Sequence, residues 1–267
     1  MVDELSIDCE VVRQVLVEFI SDFFAQAGFD RAVIGVSGGV DSAVAAVLTA
    51  QALGKGRVTC CLMPHGEAPP GTREDAQAII ALTGADSIEI NIAEQIDAYF
   101  RRFPDADRIR RGNKMARERM SILYDQSAAL GALVMGTSNR SEWLLGYFTL
   151  WGDMGAALWP LASLYKTQVR QMARHLGVPE RIISKPPTAD LWRGQTDEHD
   201  LGVTYAEADR ILYRLVDLEL RAHQVIAEGF AEAAVNRVIE LMRCSEHKRR
   251  LPAAPDLRQA APEDDFI

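Results

Sequence analysis

A chain of 267 residues, 48% hydrophobic and 25% charged, has enough apolar material to bury a large core and belongs with ordinary globular proteins. Its 38 acidic residues outnumber the 29 basic ones and leave a formal charge of −9, which argues against a protein built to grip nucleic acid through a broad basic surface. Cys9, Cys60, Cys61 and Cys244 show no CxxC spacing, the amino terminus is acidic, and no apolar run approaches the roughly 18 residues of a membrane span. Zinc, a disulfide framework and a membrane protein are thereby set aside, and a cytoplasmic protein is expected.

Residues 8–27 place Val11, Val12, Val15, Leu16, Phe19, Ile20, Phe23 and Phe24 at helical spacing, which predicts an amphipathic helix ending at Gly28 and covering a sheet. A short apolar run, Ala32-Val33-Ile34, then leads through Gly35-Val36-Ser37-Gly38-Gly39-Val40-Asp41-Ser42 into Ala43-Val44-Ala45-Ala46-Val47-Leu48. The order is strand, glycine-rich turn, buried helix. In that arrangement Gly38 and Gly39 let the backbone approach a ligand closely, while the first N–H groups of the helix favour an anion. Ser37 and Ser42 add hydroxyls. Asp41 adds a carboxylate, which beside a phosphate makes sense chiefly with a divalent cation between the two. The loop therefore reads as a cradle for a polyphosphate with magnesium, although it has neither the Walker ending nor the GxGxxG pattern.

Residues 57–63 predict a second strand stopped by Pro64, followed by a loop over 65–72 that contains Pro69 and Pro70. Thr72 and Asp75 are placed to cap a helix over 73–83. A third strand is expected at 87–90 and a helix at 93–102. Residues 101–111, with five arginines and two aspartates around Pro104, read as a solvated loop. A helix over 113–130 and a fourth strand over 132–135 follow. Alternation of this kind points to the α/β class, a three-layer parallel sheet with helices on both faces. Ligands then collect at the carboxyl ends of the strands, so the loops after residues 36, 63, 90 and 136 should converge.

The second half is expected to be mostly helical, with helices over 165–176, 204–218 and 221–243 and a capping box at Thr204 and Glu207. Residues 184–203 read as a long loop, and the tail from residue 252 as loosely held. A single domain over residues 1–267 is the expected organisation.

The segment Ser37-Gly38-Gly39-Val40-Asp41-Ser42 resembles the pyrophosphate loop of the N-type ATP pyrophosphatases, which cleave ATP between its α and β phosphates to make an adenylate. Further blocks resemble the ammonia-dependent NAD synthetases in order and spacing. They are Gly112-Asn113-Lys114-Met115-Ala116-Arg117-Glu118-Arg119-Met120, Gly136-Thr137-Ser138-Asn139-Arg140-Ser141-Glu142, Gly146-Tyr147-Phe148-Thr149, Gly152-Asp153, Leu164-Tyr165-Lys166-Thr167, Lys185-Pro186-Pro187-Thr188-Ala189-Asp190 and Ser245-Glu246-His247-Lys248-Arg249. The resemblance implies an adenine nucleotide alpha hydrolase-like, Rossmann-like fold with a helical carboxyl-terminal part. It also implies an amide ligase that adenylates the carboxylate of deamido-NAD with ATP, releases pyrophosphate, and lets ammonia displace AMP to give NAD.

Carried over by position, Gly35, Val36, Ser37, Gly38, Gly39, Val40, Asp41 and Ser42 hold the phosphates of ATP, and Thr137, Lys166 and Thr188 contact it. Asp41 and Glu142 correspond to magnesium ligands, with Asp41 and Lys166 as the catalytic pair. Arg117, His247 and Lys248 correspond to contacts with deamido-NAD. In this family a second subunit completes the substrate site, so His247 and Lys248 imply a homodimer, with the apolar residues of the 113–130 helix as candidates for its interface. Only 36 residues precede Ser37 and few follow Lys248, so no glutaminase domain is expected.

Two positions depart from the family pattern. Leu150 stands where a substrate-contacting lysine is usual, and Ala157 where an aspartate is. Losing both members of a charged pair is electrostatically consistent, since losing one alone strands a buried charge. The departures motivate an alternative, the same adenylation and amidation on a different carboxylate. A tRNA-thiolating relative would need a basic surface and patterned cysteines, and a non-catalytic nucleotide sensor would not need Asp41, Glu142 and Lys166 together.

Overall fold

The structure, a computed structural model, describes residues 4–66, 71–192 and 194–255. The expectations for Pro69 and Pro70, for the first three residues and for the tail beyond residue 255 lie outside the described residues. Helix α1 (Cys9–Ala27) is capped by the Asp8 carboxylate, which accepts from the Glu10 and Val11 amides, and turns Leu16, Ile20 and Phe24 inward. It ends at Gly28, as its periodicity predicts. Strand β1 (Ala32–Gly35) and helix α2 (Val40–Leu53) flank the glycine-rich turn. There follow β2 (Val58–Leu62), α3 (Thr72–Thr83), β3 (Asp86–Glu89), α4 (Ala93–Phe100), α5 (Arg108–Leu130) and β4 (Leu133–Met135).

The four strands pair in parallel in the order β3-β2-β1-β4, with Ile34 in register with both Cys60 and Met135. Every second strand residue points to the same face, and both faces here are covered. Ile34, Cys60 and Met135 pack with Ile20 and Phe24 of α1, the alanines and valines of α2, and Ile79 of α3. Val33, Cys61 and Val134 pack on the other side with Ile96 and Phe100 of α4 and Met115 of α5. This double coverage explains why β1, β2 and β4 are apolar except at the half-buried Thr59, whereas the edge strand β3 carries the exposed Asp86, Ser87 and Glu89.

The remaining helices are α6 (Arg140–Leu145), α7 (Lys166–His175), α8 (Glu180–Ile183), α9 (Asp197–Leu201), α10 (Tyr205–Leu212), α11 (Ala222–Ala227) and α12 (Glu232–Cys244). Helix α7 joins the α1–α2 layer through Val169 and Met172. Helix α8 adds Ile182 and Ile183 to the same layer, and the others build a separate apolar cluster around Leu145, Tyr165, Tyr205, Ile211, Val225 and Val235. No described helix is long and apolar enough to cross a membrane.

Several boundaries differ from expectation. Arg108, Arg110 and Arg111 belong to α5 rather than to a loop, because the Asp107 carboxylate caps the helix at the Arg110 amide, 2.7 Å away, before its apolar face begins. The cap of α3 is Gly71 and not Thr72, and Asp75 instead pairs with Arg181 at 2.9 Å and Lys185 at 3.5 Å. The helix expected over 204–218 changes to a π-helical turn at Tyr213–Asp217, and that over 221–243 divides into α11 and α12 at Gly229, where φ is 100°. The loop over 184–203 contains α9 and is pinned by Asp197 N–H donating to the Pro187 carbonyl at 2.9 Å.

Candidate active site

In this topology the chain leaves β1 for β2 and β3 on one side and reaches β4 on the other, so a crevice opens between the carboxyl ends of β1 and β4. The loops after those two strands meet there. Asn139, leaving β4, donates from Nδ2 to Asp41 Oδ1 at 2.8 Å. The loops after β2 and β3 pair with each other beside them, through the Gly66 N–H on Asn91 Oδ1 at 3.2 Å.

The loop over 35–42 is held by its own hydroxyls. Ser42 Oγ donates to the Gly39 carbonyl at 3.0 Å and accepts from the Ser37 N–H at 3.3 Å. Gly38 has φ 80°, and a Cβ there would stand 2.8 Å from the Thr72 carbonyl oxygen, so the loop fits against the start of α3 only with glycine. Helix α2 begins at Val40 with no side-chain cap, which leaves its first N–H groups directed at the crevice. With the ATP role that the family resemblance implies for this loop, Gly38→Ala is expected to raise the apparent KM for ATP by about tenfold, from the cost of φ > 0 plus a displaced loop. A steady-state ATP titration reads this, and an unchanged KM would show that the loop tolerates the displacement.

Glu142 reaches the same place through local helix chemistry. Asn139 caps α6 by accepting the Glu142 N–H on Oδ1 at 3.0 Å, and Glu142 Oε2 accepts the Asn139 N–H at 3.3 Å. This capping box leaves Glu142 Oε1 free to turn into the crevice. Lys166, the first residue of α7, sits between the two carboxylates: its Nζ lies 2.5 Å from Asp41 Oδ2 and 3.1 Å from Glu142 Oε1. Its side chain is only 3% exposed, so the lysine is no surface charge. The Tyr205 ring lies 5.1 Å from the ammonium.

The electrostatics follow from burial. Desolvation raises the Glu142 carboxyl well above the ordinary carboxylate range, against the lowering pull of Lys166. Burial alone would lower the Lys166 ammonium, but Asp41 and Glu142 outweigh it and hold it protonated. Asp197 adds a third acid: it is 4% exposed, its Oδ1 has no partner among the described residues, and burial raises its carboxyl. Three acids thus gather around one ammonium, two of them with carboxyls raised by burial.

Among the described residues, no hydrogen bond or ion pair joins the side chains of Thr188, Arg117 or Lys248 to this centre. Thr137 is half-buried in the loop leaving β4, and Thr188 accepts the Asp190 N–H at 3.0 Å in the long loop after α8. Arg117 is exposed on α5 and donates from Nε to the Leu150 carbonyl at 3.1 Å. Residues 149–155 run beside α5, with Thr149 Oγ1 donating to Asn113 Oδ1 at 2.7 Å. Ala157 is exposed where this segment rejoins β4 through its N–H on the Val134 carbonyl. Lys248 lies in the 3₁₀ turn Glu246–Arg249 and donates to the Gly146 and Phe148 carbonyls at 2.9 and 3.0 Å, while His247 is exposed.

Sequence reasoning missed Asn139, Asp197 and Tyr205 as members of the centre. Asn139 carried a signal, an Asn three residues before Glu142 at a helix start. Asp197 and Tyr205 carried none, since only folding brings their segment to Lys166.

The sequence model of NAD synthase matches residues 12–252. The chain belongs to the NAD synthase family. Within it, the NH(3)-dependent NAD(+) synthetase of Trichlorobacter lovleyi is 45% identical over 98% of this chain and 96% of its own length. That of Fusobacterium nucleatum is 44% identical over 96% of this chain and 100% of its own. Among solved structures, the NH3-dependent NAD synthetase of Campylobacter jejuni superposes with a TM-score of 0.81 at 30% identity, and the NMN synthetase of Francisella tularensis with 0.83 at 32%. Each of these two likenesses covers 94% of this chain and 100% of the other. The expected Rossmann-like parallel sheet is thus a property of the family as well as of this chain.

Proposed function

We propose that this chain makes NAD from deamido-NAD, ATP and ammonia. The observation that supports the reading best is the Asp41–Lys166–Glu142 cluster at the β1–β4 crevice of a chain 45% identical to a synthetase of that name. The acceptor carboxylate oxygen attacks the α-phosphorus of ATP, the bond to the β-phosphate oxygen breaks, and pyrophosphate leaves. Ammonia then adds to the acyl carbon of the adenylate, AMP departs, and the nitrogen loses a proton. Both steps place negative charge on phosphate oxygens, which Lys166 and the N–H groups of residues 37–42 are positioned to offset.

Asp41 and Glu142 supply hard carboxylate oxygens that suit magnesium, and no third His, Cys, Asp or Glu among the described residues is placed to complete a metal cage. Asp41 and Glu142 would hold magnesium, which would supply positive charge to offset that on the leaving pyrophosphate. Ser37, Gly38, Gly39 and Ser42 cradle the phosphates, Thr137 and Thr188 contact ATP, and Arg117, His247 and Lys248 hold deamido-NAD. The reading extends to one domain, a cytoplasmic setting and a homodimer in which a second copy completes the dinucleotide site.

The test is acceptor-dependent product formation. Purified protein with magnesium, ATP and ammonia should convert deamido-NAD to NAD with one AMP and one pyrophosphate per turnover. Nicotinate mononucleotide runs beside it because of the likeness to an NMN synthetase. AMP release with the mononucleotide alone would move the acceptor, and release of ADP and phosphate would remove the adenylating mechanism.

A further inference from the structure

Lys166 and Glu142 must hold their side chains to within a fraction of an ångström, yet each stands on the first turn of a different helix. Something has to lock those two turns together. A single buried carboxylate from α10 does so. Asp209 is 0% exposed; its Oδ2 accepts the Thr167 N–H at 2.8 Å, and its Oδ1 accepts the Ser141 hydroxyl at 2.5 Å. The Ser141 oxygen in turn accepts the Lys166 N–H at 2.9 Å.

We propose that Asp209 is a positioning residue for adenylation, fixing the backbone from which Lys166 and Glu142 project. Its partners are the neighbours in sequence of the two site residues: Ser141 precedes Glu142, and Thr167 follows Lys166. One member of each pair faces the crevice and the other faces Asp209. The carboxylate also meets the amino-terminal end of α7, where the Lys166 and Thr167 N–H groups have no acceptor within the helix and the helix dipole favours a negative charge. One turn earlier on the same helix face, Tyr205 covers the Lys166 ammonium. Helix α10 therefore grips Lys166 at both its backbone and its tip. The geometry connects the helical carboxyl-terminal part to a site otherwise built on the sheet, across 68 residues to Ser141 and 42 to Thr167.

The role rests on the adenylating reading given above. Asp209→Asn keeps the volume but turns one of the two accepting oxygens into a donor, so either the Ser141 hydroxyl or the Thr167 amide loses its acceptor. It should lower kcat for acceptor-dependent pyrophosphate release about 100-fold, with the KM for ATP within about threefold, as expected when only transition-state contacts are displaced. Ser141→Ala, which leaves the Asp209–Thr167 bond in place, should lower kcat about tenfold. Ile211→Val, two residues along the same buried helix, serves as the comparison: it should lower the unfolding midpoint and leave kcat unchanged.

If Asp209→Asn fails to fold, Ser141→Ala decides. The role is overturned if the folded variants keep kcat within about threefold of the parent. It is equally overturned if their activity falls only with the unfolded fraction, as for Ile211→Val. A parent protein that releases no pyrophosphate with deamido-NAD sinks the adenylating reading itself, whereas an active parent with unaffected variants sinks the Asp209 role alone.

Discussion

Asp41→Asn is expected to cut acceptor-dependent AMP formation by at least about 1,000-fold while the protein stays folded. Asp41 lies in the first turn of α2 and serves two partners, accepting from Asn139 Nδ2 at 2.8 Å and from Lys166 Nζ at 2.5 Å. Both partners are donors. An amide in place of the carboxylate offers one acceptor and one donor, so whichever way it turns, one of the two meets an N–H instead of a lone pair. The negative charge that faces Lys166, and that would face a magnesium ion in the proposed site, is lost at the same time. Volume is unchanged and the side chain is 18% exposed, so the sheet and the α2 packing should persist. AMP quantified by chromatography across a magnesium titration measures the effect, with circular dichroism to confirm the fold. Activity within tenfold of the parent would remove Asp41 from the metal and lysine site.

Lys166→Met should be as severe for catalysis and should also change the pH dependence of stability. The ammonium is the only cation within reach of Asp41 and Glu142 among the ion pairs of the described residues, and breaking a buried pair from one side costs about 3–5 kcal/mol. The sign follows from proton binding. Burial already raises the Glu142 carboxyl above its unfolded value, so between the two values the folded state holds a proton that the unfolded state has released. Stability therefore falls as pH rises through that window. Removing Lys166 takes away the main opposing pull and carries the fall to higher pH. Urea unfolding of parent and variant, with divalent ions chelated, should show a stability gap that is level between about pH 5 and 7 and widens from about pH 8 upward. A gap independent of pH would mean that the Glu142 carboxyl does not feel Lys166.

Much of this site was legible because its pieces are local. The glycine-rich turn between an apolar strand and an apolar helix, the loop leaving β4, and the Asn139-to-Glu142 helix start each declare themselves within ten residues, through backbone freedom, helix N–H groups and capping. The alternation of strands and helices was enough to place β1 and β4 loops at one sheet edge. Helix ends were less legible. The arginines at 108–111 looked like a solvated loop because charge is a poor guide to helix starts when an aspartate, here Asp107, stands ready to cap. The split at Gly229 and the π-helical turn at Tyr213–Asp217 depend on how α10, α11 and α12 pack around Tyr205 and Val235, which periodicity does not carry.

By itself the sequence determined the class of the fold; residue type and spacing singled out the glycine-rich loop with Asp41, and the family resemblance added Glu142 and Lys166. Only the tertiary structure decided that Lys166 is buried between the two acids, that Asn139 and Asp197 join them, and that Asp209 locks both helix starts from a distant helix. The reason is one of range. Turns and caps are settled by neighbours within a few residues, whereas the charge state and position of a buried ion depend on every group that folding brings within a few ångströms of it.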